Sequence, residues 1–480
     1  MTARAVALAL ALCSPLSAAA QSWFPSDSAL RATLVTVVGQ GRAAGVVVGL
    51  LEADGTRRVV AYGSPGTGGL PLDGESVFEI GSITKVFTGT LLADMVRRGE
   101  VVLTDSLSVL LPGGDVRIPA RNGKAILLVD VTTHHSGLPR LPNNFRPADP
   151  TNPYADYSIQ QMYDFVSGYE LPRDPGASAE YSNFAMGLLG HALARRGGMS
   201  YEELVRARVL QPLGMTRTGI VLTPWMRQHL AHGHDALGEP AANWDIPTLA
   251  GAGALRSTAN DMLRFAAANL AAADTGLYAS LHTAQRALRR FDGTDSIGFN
   301  WLISRPRARA ITWHNGGTGG YRTFLGLDRA ARRAVVVLTN SAAGLDDLGF
   351  HLLDPEVPLA RPPVGPAVAR VYREQGVTAA IAHYRNLRAT EPDGWRFGEA
   401  ELNTLGYWLL GQGRTDDAIA VFRLNVEMFP AAFNPYDSLG EAYLARGDTV
   451  LAIQNYRRSV ELNPNNAGGV EALRKLGAAR

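Results

Sequence analysis

The chain has 480 residues, with 46 Lys plus Arg against 44 Asp plus Glu and a formal charge of +2, a balance that gives no electrostatic footing for nucleic acid. At 46% hydrophobic and 19% charged residues it is too apolar for long disorder, and its length predicts two or three domains. One cysteine, Cys13, excludes a disulfide framework, a Cys-ligated zinc site, an iron–sulfur cluster and thiol catalysis over the rest of the chain.

The first twenty residues, MTARAVALALALCSPLSAAA, combine Arg4, an apolar run from Ala5 to Leu12, and small residues at Ala18 and Ala20. This is the pattern of a secretory signal peptide cut near Ala20, and it predicts a secreted or periplasmic protein. Leu10 to Cys13 loosely resembles a lipobox, but bulky Leu12 precedes the cysteine, so a lipoprotein is the weaker reading. No later stretch approaches the roughly 18 apolar residues of a membrane-spanning helix.

Next, AAGVVVGLLEADGTRRVVAYG predicts two strands joined at Asp54-Gly55. SITKVFTGTLLADMVRRGE predicts a helix, apolar at Phe87, Leu91, Leu92, Met95 and Val96 and stopped at Gly99. The middle of the chain is mostly helical, and RTFLGLD and RRAVVVLTN predict two more strands. Strands at both ends with helices between them imply an α/β (α+β) domain, in which one antiparallel sheet is closed by the two ends and a helical region is inserted. Five prolines between Pro355 and Pro366 then mark an extended linker.

The C-terminal residues repeat at a displacement of 34, which pairs Leu405 with Leu439, Gly406 with Gly440, Ala418 with Ala452, Phe422 with Tyr456 and Pro430 with Pro464. This is the tetratricopeptide pattern of antiparallel helix pairs, and GVTAAIAHYRNLR from Gly376 looks like part of an earlier, degenerate repeat. The predicted domains are therefore a signal peptide 1–20, a catalytic domain 21–350, a Pro-rich linker 351–370 and helical repeats 371–480.

Only three of the 46 cationic side chains are lysines, Lys85, Lys124 and Lys475. In a chain that prefers Arg so strongly, a lysine singles out a place where charge alone does not suffice. Arg cannot release a proton near neutral pH, whereas a desolvated Lys can act as a base. Lys85 stands one helical turn from Ser82, so the two share a face at the N-terminal turn of the predicted helix. Downstream, Tyr181-Ser182-Asn183 follows a Pro-Gly turn and opens a helix, and ITWHNGGTGGY predicts a strand ending in His314-Asn315-Gly316-Gly317.

These three motifs in this order resemble the serine penicillin-recognising hydrolases, the β-lactamase/transpeptidase-like family of class C β-lactamases, D,D-peptidases and β-lactamase-like esterases. They correspond to S-x-x-K, Y-x-N, and a strand motif that is K-T-G in many members and H-x-G in others. VTTHHSGLP, VLQPLGMTRTGI, GAGALRSTANDM and VVVLTN extend the resemblance over residues 25 to 345.

By that resemblance Ser82 is the acylated nucleophile, and Lys85 and Tyr181 manage its proton. Asn183 donates to a carbonyl on the substrate, and the backbone N–H groups of Ser82 and Gly317 form the oxyanion hole, with Gly316 beside them. His314 and Asn315 replace the lysine and hydroxyl residue of K-T-G. An imidazole with an ordinary pKa near 6.5 holds a carboxylate less firmly than an ammonium, so neutral esters or amides are favoured over β-lactams.

The resemblance implies a small-molecule or peptidoglycan-peptide-like substrate and no cofactor. A class C-type β-lactamase, or a catalytically weak scaffold that recruits a protein partner through the repeats, are the alternatives. Other histidines read differently. His229, His232 and His234 with Asp235 lack the spacing of a metallohydrolase site, so no metal is assigned, and His134 and His135 fall in a segment that is a structural turn in relatives. The strand expected after Gly316 also argues against a phosphate loop.

Overall fold

The run GVVVGLL is apolar without alternation because both its faces are covered. In the computed structural model, which describes residues 22–111 and 116–478, it forms strand β1 (Gly45–Leu51), buried throughout. Val46, Val48 and Leu50 face a core with the helix Asp27–Gly39 and the helix Asp346–Leu353, whereas Val47 and Leu51 face the helical region. Residues 1–20, expected to form a signal peptide, and Cys13 among them, lie outside the described residues.

The remaining strands are β2 (Arg57–Gly63), β3 (Val77–Glu79), β4 (Ala120–Arg121), β5 (Lys124–Ala125), β6 (Arg256–Thr258), β7 (Arg289–Arg290), β8 (Ser296–Ile297), β9 (Leu302–Ser304), β10 (Ile311–Gly317), β11 (Arg322–Asp328) and β12 (Arg333–Thr339). Eight of the twelve strands among the described residues, β1 included, form one sheet in the order β2-β1-β12-β11-β10-β9-β8-β7. Every pairing in it is antiparallel, with Val48 opposite Val337 and Asn315 opposite Phe324. The N-terminal hairpin thus completes the sheet beside β12, as the distribution of strands along the sequence predicts. Gly55 makes the hairpin turn at φ +91°, a conformation open to glycine.

The helix Thr84–Arg97 begins at a 3-10 turn, Gly81–Ile83, and is buried from Thr84 to Met95. Its buried hydroxyls are satisfied by one neighbouring segment: Thr88 Oγ1 donates to Gly251 O at 2.7 Å, and Thr84 Oγ1 accepts from Leu255 N–H at 3.1 Å. That segment approaches the helix Asn183–Gly197 backbone to backbone. A Cβ on Gly190 would stand 2.8 Å from Gly251 Cα, so both glycines are needed for the contact.

The stretch without regular structure between sheet and C-terminal helices runs from 354 to 363, shorter than the 351–370 drawn from proline content. The helix Asp346–Leu353 still packs on the sheet, and Pro363 caps a helix that starts at Val364. Pro366 lies in the first turn of that helix, where its missing N–H costs nothing. The 34-residue spacing also recurs in space. A Cβ on Gly406 would lie 2.3 Å from the Phe422 ring, and one on Gly440 would lie 3.1 Å from the Tyr456 ring. Each small residue lets two successive helices close on an aromatic side chain.

Candidate active site

The nucleophile turn, the Tyr181 segment and the end of β10 converge. Lys85 Nζ lies 2.8 Å from Ser82 Oγ and donates to Ala252 O at 2.7 Å. Lys85 is fully buried, and loss of water, helped by the nearby charge of Arg140, holds its pKa well below the ordinary ammonium value. The lowered pKa favours the neutral amine, and with one N–H committed to Ala252 its lone pair can take up the Ser82 proton.

Tyr181 is fixed by three consecutive contacts to one loop. Ser182 N–H donates to His134 Nδ1 at 3.2 Å, Ser182 Oγ donates to Pro139 O at 2.6 Å, and Asn183 N–H donates to Arg140 O at 3.1 Å. Ser182 also caps the helix Asn183–Gly197, accepting from Ala185 N–H at 2.9 Å. The Tyr181 ring lies 4.5 Å from the His134 ring and 6.3 Å from the His314 ring, with Lys85 Nζ 4.8 Å from its centroid. Burial pushes the Tyr181 hydroxyl up, and contact with Ser82 works the other way.

Strand alternation separates the β10 residues. His314 is buried on the site face, its Nδ1 2.5 Å from Asn315 O, and burial with the charge of Lys85 lowers its pKa to about 3. The expected titration near 6.5 is therefore displaced: this imidazole is neutral throughout the assay range. Asn315 points to the opposite face, where its amide donates to Asp346 Oδ2 at 2.6 Å. The expectation that Asn315 meets substrate is thereby corrected, because adjacent residues of a strand face opposite ways.

The glycines serve a purpose other than the one expected. A Cβ on Gly316 would stand 1.9 Å from Ile80 O, and one on Gly81, at φ +49°, would stand 2.6 Å from Gly317 N. Gly316 and Gly81 let the strand press against the Ser82 turn, which brings the Gly317 amide close to that turn. At Gly317 itself the nearest atoms a Cβ would meet belong to the Arg322 side chain, from 2.9 Å. Asn183 donates to Tyr154 Oη at 3.4 Å, while its buried Oδ1 has no partner. Tyr154 in turn packs on Phe145 at 5.0 Å and Trp244 at 5.4 Å, forming an aromatic wall.

Sequence reasoning did not anticipate His134, Arg140, Ala252 or Tyr154. His134 is part of the site rather than only of a turn: burial lowers its pKa well below the ordinary imidazole value, and φ +61° aims its ring at Tyr181. Its signal was the VTTHHSGLP segment, and Ala252 lies in GAGALRSTANDM, whereas nothing in the pattern around Tyr154 marks it. The other histidines are held apart. His229 stacks on Trp225 at 3.8 Å, His234 Nδ1 lies 3.0 Å from Asn340 O, and Asp235 accepts from Leu237 and Glu239 N–H. Among the described residues no three His, Cys, Asp or Glu side chains gather as metal ligands.

Residues 30–352 match the Beta-lactamase family. The chain belongs to that family. It is 31% identical over 335 residues to the D-alanyl-D-alanine-carboxypeptidase/endopeptidase AmpH of Escherichia coli K12, covering 63% of this chain and 84% of that protein. It is 28% identical over 328 residues to the human putative beta-lactamase-like 1, covering 66% and 60%. A Pseudomonas syringae structure titled beta-lactamase/D-alanine carboxypeptidase superposes with TM-score 0.61 at 22% identity, over 70% of this chain and all of that one. The protein is accordingly a serine hydrolase of β-lactamase type, with an antiparallel sheet and inserted helices. The helices from Val364 onward lie beyond the family match.

Proposed function

We propose that this chain is a secreted or periplasmic hydrolase that forms an acyl-enzyme on Ser82 with an ester, a D-amino-acid amide or a D,D-peptide-like donor. The observation that carries this reading is the 2.8 Å contact between Ser82 Oγ and the fully buried, proton-poor Lys85. Ser82 Oγ attacks the acyl carbon while its proton passes to the Lys85 lone pair. The new oxyanion is held by the Ser82 and Gly317 N–H groups, and the Tyr181 hydroxyl relays the proton to the departing alcohol or amine. Water then repeats the sequence on the acyl-enzyme, releasing the acid and restoring Ser82.

His314 is neutral and Asn315 is turned away, so neither of these β10 side chains offers a permanent cation to a carboxylate on the leaving group, and the Arg322 guanidinium beside Gly317 already donates to Thr318 O and Tyr321 O. Esters and amides with neutral leaving groups are therefore favoured over D,D-peptides, whose departing D-amino acid carries a carboxylate, and over β-lactams. The helices from Glu399 onward are read as tetratricopeptide repeats, supported by the recurrence of Gly406 on Phe422 and Gly440 on Tyr456, and offer a surface for a protein partner. The test is intact mass after exposure to a panel of esters, D-amino-acid amides, D,D-peptides and penicillin. An adduct mapped to the Ser82 peptide is expected with esters or amides, and no adduct with any of them would overturn the reading.

A further inference from the structure

Arg140 follows the loop that fixes Tyr181 and is exposed, yet its guanidinium carbon lies 5.3 Å from the centroid of the half-buried Tyr181 ring. It faces inward. Its charge acts on Lys85, His134, Tyr154 and Tyr181. Its main-chain carbonyl accepts from Asn183 N–H at 3.1 Å, and the Asn183 amide donates to Tyr154 Oη at 3.4 Å, so Arg140 lies on the Asn183–Tyr154 side of the site.

Among the described residues its guanidinium forms no ion pair. Glu180, the residue before Tyr181, is paired with Arg173 at 2.6 Å. A planar, permanently charged fork at the mouth of a site suits a carboxylate, which it meets with two parallel hydrogen bonds. Beside it, the unpartnered Asn183 Oδ1 and the Tyr154 hydroxyl offer further polar contacts to a donor's acyl chain.

We infer that Arg140 anchors a carboxylate carried on the acyl half of the substrate, so that this enzyme prefers anionic acyl groups joined to neutral leaving groups. This rests on the acyl-enzyme reading above and adds the substrate class to it. The permanent cation that His314 and Asn315 do not provide is supplied by Arg140, to the other half of the substrate.

The test compares the mono-4-nitrophenyl ester of adipate with 4-nitrophenyl hexanoate, which differ only in a terminal carboxylate on the acyl chain. The readout is the ratio of their kcat/KM values, so any effect of the variant on Lys85 cancels. Arg140→Gln should lower that ratio about five- to tenfold, Arg140→Lys should lower it less, and added salt should narrow the difference. The main-chain carbonyl that receives Asn183 N–H remains in both variants, so the fold should hold.

An equal ratio in wild type and Arg140→Gln would overturn the inference. So would dependence on Arg140 that appears instead with 3-carboxyphenyl hexanoate against phenyl hexanoate, since the anion would then sit on the leaving group. Failure of every ester to acylate wild-type Ser82 is a separate result: it would remove the hydrolase reading itself, and the anchor with it.

Discussion

The carbonyl oxygen of Ile80 occupies the place where a side chain on Gly316 would begin, 1.9 Å from its ideal Cβ. Ile80 O also accepts from Thr323 Oγ1 at 3.0 Å and from Ile83 N–H at 3.2 Å, so the turn that carries Ser82 is pinned to β10 and β11 together. The position of Ser82 relative to the Gly317 amide is thus set by main-chain contact rather than by a flexible side chain.

Gly316→Ala must part β10 from the Ile80–Ser82 turn. We expect kcat/KM on esters to fall by more than a hundredfold, with a stability loss of about 1–3 kcal/mol by thermal or denaturant unfolding. Gly317→Ala meets a side chain, Arg322, rather than main chain at its closest contacts, from 2.9 Å, and should cost less of both. Equal damage from the two substitutions would mean that absence of a side chain at Gly317, rather than the approach at Gly316, is what the site requires.

Ser82→Ala should abolish ester hydrolysis at a stability cost of about 1 kcal/mol, because the position is only half-buried. Lys85→Arg should be as damaging to kcat as Lys85→Ala, since the site needs a removable proton rather than a charge. It should also lower the melting temperature, because a larger permanent cation would be forced into a fully buried place. Substantial activity in Lys85→Arg would show that Lys85 contributes only its field.

The convergence of Ser82, Lys85 and Tyr181 and the sheet were legible because they depend on local patterns. Ser82 and Lys85 stand one turn apart on a helix, a continuous apolar strand means a sheet covered on both faces, and a 34-residue displacement repeats small and aromatic positions. What escaped depends on direction and on distance along the chain. Asn315 was read as facing substrate because the motif names it, although the pleat turns it toward Asp346. His134, Arg140 and Ala252 reach the site through folding contacts 48, 43 and 167 residues long in sequence, by way of Ser182, Asn183 and Lys85, and no pattern around them encodes that.

The depressed pKa of His314, about 3, has a sign in both activity and stability. Between pH 5 and 9 the imidazole stays neutral, so a rising limb of kcat/KM on esters in that interval is expected to follow a group other than His314, and Lys85, held below its ordinary value by burial, is the expected one. His314→Asn should lower activity but leave that limb in place. For stability, the unfolded histidine binds a proton below about 6.5 while the folded one refuses it until about 3. Its contribution is fully present above about pH 6.5 and is lost as pH falls toward 3. His314→Asn should therefore flatten the fall of melting temperature across that interval, and an unchanged slope would show that His314 is not buried neutral.

The last prediction concerns the boundary with the C-terminal helices, which is more closely packed than a loose linker. Arg42 pairs with Asp347 at 2.6 Å and donates to Ala360 O at 3.3 Å, and Asp347 also accepts from Ala360 N–H at 2.7 Å, tying the extended segment to the sheet domain. Leu237, from the sheet domain, is buried among Val364, Val368 and Ala369 of the next helix, and Arg373 pairs with Glu239 at 3.2 Å and donates to Leu237 O. None of these contacts touches the Ser82 site. A chain ended after Val364 retains every strand of the sheet and should fold, stay acylatable at Ser82 and keep its kcat. It should lose about 1.5–3 kcal/mol from exposing Leu237, seen as a lower melting temperature. Leu237→Ser in the full-length chain should reproduce much of that loss without truncation. If instead the shortened chain is insoluble while Leu237→Ser is stable, the helices beyond Val364 support the sheet domain through contacts other than this one.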